Sequence, residues 1–225
     1  MARPALIQGS LQRTLLSGVL LVSLLASEAA SAKSPVPPAV VLLGFGPFEG
    51  YLVNPTDRLV REVAAGRAGW ESETLPVDPR GALERLYSHL DRRPRLVIGV
   101  GVRADIDRIQ LNPTALNWIS MRDWVDWLHY GPIDPGLPVE IALEPSRRSA
   151  LVQAVEQEKL NVSISSDAGV HVCNLVLFHG LAHAPPGVGF LFIHVPSGIL
   201  DDPRLRRTFQ RTLEVVVPVL SGVRP

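Results

Sequence analysis

Cys173 is the only cysteine among the 225 residues of the chain, and its position suggests chemistry. It follows a strand-like run, 161–166, and a turn of small residues, and it lies at the start of a helix-like run, 172–184. The positive end of a helix dipole favours a thiolate over a thiol, and the thiolate is the nucleophilic form. Cys173 is therefore a candidate nucleophile, with a buried structural cysteine as the alternative.

A cysteine nucleophile needs a base, and His194 is the leading candidate. It ends an apolar run, 190–193, that is typical of a core strand. Active sites of open α/β sheets gather at the carboxyl ends of strands, which is also where Cys173 follows a strand. The two side chains are therefore expected to meet at that edge, and a core histidine with satisfied hydrogen bonds is the alternative.

Asp105 and Asp107 are the candidates for a group that orients His194. They are two residues apart, so they share one face if 105–111 is a strand. A carboxylate beside an imidazole fixes its tautomer and stabilises its charged form. The alternative is an exposed edge strand on which Asp107 pairs with Arg108.

Two further motifs are weaker indications of a functional site. The glycine-rich segment 44–50 lacks the spacing of a dinucleotide or P-loop motif, and Pro47 has no amide to offer a phosphate. His179 and His183 share a helix face at a spacing that can hold a metal, but no glutamate follows His179 as a general base would. We therefore predict neither a nucleotide site nor a metal site.

Hydrophobic patterning predicts the elements that position these residues. Apolar runs ending in glycine indicate strands buried on both faces of a parallel sheet. The predicted strands are 39–46, 71–77, 95–102, 161–166 and 188–196, with 105–111 as an exposed or edge strand. The predicted helices are 56–65, 78–90, 144–158, 172–184 and 201–220, and 112–137 is predicted to be an irregular cover. This alternation predicts an α/β fold with a largely parallel sheet and helices on both faces.

The N-terminus has the pattern of an export signal. Arg3 and Arg13 supply positive charge before an apolar run, 15–26. Residues 30–32 have the small-x-small pattern of a cleavage site. We predict a cleaved signal over 1–32, and the apolar run is short for a membrane span of roughly 20 residues. The mature protein would then be periplasmic or extracellular without stable membrane insertion, and an uncleaved anchor is the alternative.

The rest of the chain is predicted to be a Pro-rich link, 33–38, and one α/β domain, 39–225. The 22 basic and 22 acidic residues cancel and are intermixed. This balance does not favour nucleic acid or an acidic membrane surface as a partner.

Three motifs, in this order, resemble those of the pyroglutamyl peptidase I family, the pyrrolidone-carboxylate peptidases. They are 44–50 followed by Asn54-Pro55, then 166–174, then 192–196. The resemblance extends from about residue 40 to 220. It implies a single-domain, three-layer αβα sandwich with a largely parallel mixed sheet, no cofactor, a homo-oligomer, and hydrolysis of the bond after the pyroglutamyl residue of an N-terminally blocked peptide.

The resemblance also implies residue roles. Cys173 would be the nucleophile, His194 its base, and Asp107 would stand for the glutamate that the family has at this place. The residues that match or replace pocket-lining positions are Phe45, Phe48, Asn54 and His171.

One segment departs from the family pattern. Family members carry a longer glycine-rich stretch with a glutamine after the strand that corresponds to 96–101, whereas 101–105 here is shorter and has no glutamine. Two alternatives therefore stay open: a cysteine amidohydrolase with a different acyl group, and a binding protein that retains the scaffold without catalysis.

Overall fold

The computed structural model describes residues 38–48, 52–122 and 128–222. The predicted export signal and most of the predicted link lie outside these residues. The helices are α1 (Pro55–Ala65), α2 (Pro79–Asp91), α3 (Pro145–Gln157), α4 (Val172–His183) and α5 (Pro203–Ser221). The strands are β1 (Val40–Phe45), β2 (Trp70–Leu75), β3 (Leu96–Arg103), β4 (Ile109–Asn112), β5 (Thr114–Leu116), β6 (Ile119–Arg122), β7 (Leu128–Gly131), β8 (Glu140–Ala142), β9 (Val162–Ile164) and β10 (Gly189–Pro196).

Six strands form the main sheet in the order β2-β1-β3-β10-β4-β9. Strands β2, β1, β3 and β10 are parallel, β4 is antiparallel to β10, and β9 is parallel to β4. The predicted α/β fold with a largely parallel mixed sheet is therefore confirmed. The carboxyl ends of β3 and β10 lie side by side, because their pairing runs in register to the last residues of both strands.

The strands are buried on both faces, as their continuous apolar runs predict. Val40 and Leu42 of β1 join the core on one face, and Val41 and Leu43 join the core on the other. Helices α1, α3 and α5 contribute to the first core, while α2 and α4 contribute to the second. Three layers result, and the second core is the one that contains the candidate nucleophile.

Helix starts follow one sequence pattern, with an exception at the site. Helices α1, α2, α3 and α5 begin with proline after a residue whose side chain accepts a backbone N–H bond. This arrangement satisfies amides that have no partner within the helix. Helix α4 begins after His171, which makes no such side-chain bond.

The predicted edge strand over 105–111 is wrong in position and in exposure. Residues 104 and 105 form a turn, and β4 begins only at Ile109. All four residues of β4 are buried, since the strand lies between β10 and β9. Asp105 and Asp107 precede the strand and therefore do not share a strand face.

The region 112–137 is also more regular than predicted. It contains β5, β6 and β7, which belong to two small sheets, β5–β8 and β6–β7. Strands of three or four residues are too short to show an alternating pattern, which explains why the prediction missed them. Among the described residues, no helix combines the length and the apolar character needed to cross a membrane.

Candidate active site

Cys173 lies in the first turn of α4, against the carboxyl end of β3. A Cβ atom built on Gly101 of β3 would lie 2.8 Å from the Cys173 Sγ atom. Real Cβ atoms do not approach sulfur so closely, so the absence of a side chain at Gly101 is what lets the thiol rest on the sheet. The thiol is thereby held at the edge where the parallel strands end.

His194 occupies the neighbouring position on the same face of the sheet. It is the register partner of Gly101 between β10 and β3, and paired residues on adjacent strands point to the same face. The Phe192 ring lies 4.9 Å from the His194 ring, and its Cε1 atom would be 3.0 Å from a Cβ on Gly101. Cys173 and His194 therefore both lie beside Gly101, at the strand ends where the strand-end rule expects them.

The Nδ1 atom of His194 contacts an amide. Asn112 Oδ1 lies 2.8 Å from it, and Asn112 is fully buried. The Nδ2 atom of Asn112 donates to the backbone oxygens of Ser165 at 3.0 Å and Asp167 at 2.8 Å. Asn112 therefore joins the imidazole to the segment that leads into α4.

Asp107 is not brought to His194. Its carboxylate accepts a hydrogen bond from Arg108 at 2.9 Å, and its side chain is 79% exposed. Because Asp107 lies in the connection before β4, its side chain is outside the sheet and its carboxylate is paired locally. The expectation that Asp107 orients His194 is thus corrected: Asn112 occupies the Nδ1 position.

The carbonyl oxygen of Asp167 accepts hydrogen bonds from side chains on two strands. It accepts from Arg103 of β3 at 3.0 Å and from Gln110 and Asn112 of β4 at 2.9 and 2.8 Å. The Asp167 carboxylate accepts from Arg103 and from the backbone N–H of Gly169, both at 2.8 Å. These bonds fix the turn that leads into α4 and so fix the position of Cys173.

Burial keeps both reacting groups neutral. It raises the pKa of the Cys173 thiol to about 12, against opposing effects of its own backbone N–H and of Arg103. Burial, with a smaller contribution from Arg103, lowers the pKa of His194 to about 4, against opposing effects of Asp167 and Asp105. The thiolate expected from the helix dipole is therefore not the resting form, since burial outweighs the dipole.

Comparison with known proteins bears on this arrangement of a thiol and an imidazole. A sequence profile of the family described as Pyroglutamyl peptidase matches residues 39–205, well over half of the chain. The chain belongs to the pyroglutamyl peptidase family. It is therefore a cysteine peptidase of the pyroglutamyl type, and a peptide is its substrate.

Individual relatives agree with this family. The pyrrolidone-carboxylate peptidase of Chromobacterium violaceum is 34% identical over 167 residues, which cover 70% of this chain and 77% of that protein. The enzyme of the same name from Deinococcus radiodurans is 30% identical over 175 residues, covering 71% and 78%. The crystal structure of pyrrolidone carboxyl peptidase from Thermus thermophilus has the same fold, with a TM-score of 0.67, 23% identity, and coverage of 80% of this chain and 100% of that one.

The four predicted pocket residues of the peptidase have different environments. Phe45 is buried, with its ring 6.1 Å from that of Phe192. Phe48 is partly buried, and His171 is exposed at the start of α4. Phe45 therefore packs beside the site through Phe192, whereas His171 faces solvent.

The side chain of Asn54 has a structural role. It is 3% exposed, its Oδ1 atom accepts from the backbone N–H of Thr56 at 3.0 Å, and its Nδ2 atom donates to the Gly46 carbonyl at 3.1 Å. Both ends of the amide therefore bind the peptidase's own backbone. Asn54 begins α1 and braces the glycine-rich loop, and its predicted contact with substrate stays a prediction.

Asn174 fixes the start of α4 against the segment that contains Leu116 and Trp118. It is fully buried, its Oδ1 atom accepts from the Leu116 N–H at 2.9 Å, and its Nδ2 atom donates to the oxygens of Leu116 at 2.8 Å and Trp118 at 2.9 Å. The helix that carries Cys173 is thus tied to β5 as well as to β3 and β4.

The two histidines considered as metal ligands have other contacts. The Nδ1 atom of His179 lies 2.7 Å from the Tyr87 hydroxyl, and the rings of His179 and His183 stack with centroids 5.3 Å apart. Burial lowers the pKa of His179 to about 4. Within the described parts of the peptidase, no group of three or more metal-ligating side chains is placed to hold an ion.

Sequence reasoning missed Asn112, Gln110, Arg103 and Asp167. One signal was present, because Gln110 and Asn112 alternate with the apolar Ile109 and Leu111. Polar residues at alternate positions of an otherwise apolar strand share one face. In this peptidase that face is the one on which His194 lies.

Proposed function

We propose that this peptidase removes an N-terminal pyroglutamyl residue from blocked peptides, with Cys173 as the nucleophile and His194 as the general base. The observations that support the proposal are that Cys173 Sγ packs on Gly101 and that His194 is the register partner of Gly101, at the carboxyl ends of β3 and β10. Family membership supports the substrate class. The homo-oligomer implied by the family resemblance stays a prediction.

The first step is attack on the amide carbonyl. Because Cys173 and His194 are both neutral at rest, the thiol proton passes to the imidazole as the carbon–sulfur bond forms. Asn112 occupies Nδ1, so Nε2 is the nitrogen that receives this proton. The backbone N–H groups in the first turn of α4 have no helical partner and no side-chain cap from His171, which suits them to stabilise the oxyanion.

The second and third steps return the site to its resting state. His194 gives its proton to the leaving amine nitrogen as the carbon–nitrogen bond breaks, which leaves a thioester on Cys173. Water then attacks the thioester while His194 accepts a proton from it. That proton returns to the sulfur as pyroglutamate leaves, so the cycle needs no further reactant.

Purified protein beginning at Lys33 and kept reduced is expected to release the fluorophore from a pyroglutamyl-linked amide. The comparison substrate is the prolyl amide of the same fluorophore, which has a methylene in place of the lactam carbonyl and therefore a protonated ring amine, and it is expected to react poorly. Initial rates over a range of concentrations give kcat/KM for both. The comparison is informative because the segment 101–105 has no glutamine to contact the ring.

Other results would support the other two functions. Hydrolysis of a panel of small acyl amides without hydrolysis of the pyroglutamyl one indicates an amidohydrolase of different acyl specificity. A folded protein that binds these amides and releases them unchanged indicates a binding protein on the same scaffold.

Export is a second part of the proposal, supported by the charged, apolar and small-residue pattern of 1–32. The full chain, produced in a bacterium with a general secretory pathway, is expected to be recovered from the periplasm or medium with Lys33 as its first residue. N-terminal sequencing measures this directly. A cytosolic or membrane-bound product that still begins at Met1 would contradict it.

A further inference from the structure

The contact between Asn112 and His194 is made between buried groups. The two atoms lie 2.8 Å apart, Asn112 is fully buried, and His194 is 3% exposed. Water does not compete for a hydrogen bond in such a place, and losing one partner leaves the other unsatisfied. The bond therefore holds the imidazole firmly in one orientation.

The other bonds of Asn112 decide which atom faces the imidazole. Its Nδ2 atom donates to two backbone oxygens, those of Ser165 and Asp167. Carbonyl oxygens only accept hydrogen bonds, so a flipped amide would place Oδ1 against two acceptors. Oδ1 must therefore face His194 and accept, which requires that Nδ1 of the neutral imidazole carries the proton.

We propose that Asn112, rather than Asp107, is the residue that positions His194. It holds the imidazole in the Nδ1-protonated tautomer and leaves the Nε2 lone pair available to Cys173. The inference rests on the proposed function, because it assigns a partner to the proposed base. Asp107 is exposed and bound to Arg108, so nothing in its contacts gives it this role.

The neutral charge of Asn112 has a consequence for titration. The charged groups that act on His194 are Arg103 on β3, which disfavours imidazolium, and Asp167 and Asp105, which favour it. The thiol of Cys173 on α4 is neutral. With an amide as the direct partner, no carboxylate bonded to the ring offsets the desolvation of imidazolium, and a carboxylate at position 112 would do so.

The kinetic test compares two substitutions at this position. Asn112→Ala removes the acceptor and is expected to lower kcat for the pyroglutamyl amide by about 10- to 100-fold with little change in KM, since Asn112 does not touch substrate. Asn112→Asp keeps an acceptor for Nδ1 and adds a negative charge. It also loses both donor bonds and places a carboxylate oxygen against the carbonyl oxygens of Ser165 and Asp167, so it is expected to lower kcat as well, and to move the acid limb of the kcat/KM profile to higher pH than in the wild type.

A purely structural role gives a different pattern. If Asn112 served only to hold the 165–167 backbone through Nδ2, Asn112→Ala would lower the thermal midpoint while the His194 tautomer stayed as in the wild type. Asn117→Ala is the matched control, because Asn117 is also buried and also donates to two backbone oxygens, those of Asp134 and Leu137. It is expected to lower the thermal midpoint without shifting the acid limb.

The tautomer can be read without any turnover. Long-range proton–nitrogen NMR spectra of histidine-labelled protein are expected to show His194 protonated at Nδ1 in the wild type and redistributed toward Nε2 in Asn112→Ala. This measurement separates the inference from the proposed function, since it holds even if the pyroglutamyl amide is not hydrolysed. An Nε2-protonated wild type would overturn the inference, and so would an Asp107→Asn variant that loses as much activity as Asn112→Ala.

Discussion

Cys173→Ala is expected to lower kcat/KM for a pyroglutamyl amide by about 10⁴-fold or more, because no other group can form the acyl intermediate. Cys173 is the only cysteine in the chain, so no second thiol can replace it. The residual rate would come from direct attack by water, with the oxyanion site and substrate binding still in place. Steady-state kinetics with reduced enzyme measure this loss.

The fold of this variant is expected to be intact. The Cys173 residue as a whole is partly exposed, although its sulfur is buried against Gly101, so alanine removes one atom from the edge of the core. The thermal midpoint should stay within a few degrees of the wild type, and Cys173→Ser offers a nearly isosteric companion with a much weaker nucleophile. A folded Cys173→Ala protein with more than about a tenth of the wild-type rate would show that another group attacks the amide.

The sequence was a good guide to the parts of the site that lie on long buried strands. β1, β3 and β10 are apolar without interruption, because a parallel sheet covered on both faces has no polar side, and this pattern is visible in one dimension. The ends of such strands predict where active-site side chains lie, and from this rule the sequence predicted that His194 is near Cys173.

The partner of His194 was not predictable in the same way. β4 has four residues, two of which are polar, and the strand predicted over 105–111 overlaps it but was expected to be exposed or at the edge of the sheet. The antiparallel pairing of β4 with β10 brings Asn112 within reach of His194. This pairing belongs to the tertiary structure and leaves no pattern in the local sequence. Asp107 was assigned this role by the family resemblance alone, and the alternative, an exposed Asp107 paired with Arg108, is the arrangement that the structure has.

The charge states of Cys173 and His194 also depend on tertiary packing, which the sequence does not show. A helix N-terminus predicts a stabilised thiolate, and that effect falls off within one turn and is modest at an exposed position. Burial between α4 and the sheet destabilises the Cys173 thiolate, and the pKa of the thiol rises to about 12. Only the packing of Phe192 and the neighbouring strands determines how far water is removed.

Gly101→Ala is expected to lower kcat/KM by about 100-fold. The new Cβ atom would lie 2.8 Å from Cys173 Sγ and 3.0 Å from Phe192 Cε1, so either the sulfur or the ring must move. Inserting a methyl group into packed surroundings costs about 1–3 kcal/mol of unfolding free energy. A displacement of the nucleophile by about 1 Å can by itself cost about 100-fold in rate. Kinetics and thermal unfolding of the same preparation measure both effects.

Gly66→Ala separates a local effect from a general intolerance of glycine substitution. Gly66 follows α1 with a φ of −88°, which alanine adopts without strain, and a Cβ there would meet nothing within 4 Å. This variant is expected to match the wild type in rate and stability. If Gly101→Ala kept both the wild-type kcat/KM and the wild-type thermal midpoint, then Cys173 Sγ would not rest on Gly101, and the geometry assigned to the nucleophile and to His194 would have to be given up. A loss of stability in Gly101→Ala with an unchanged rate would instead mean that Phe192, and not the sulfur, absorbs the added methyl group.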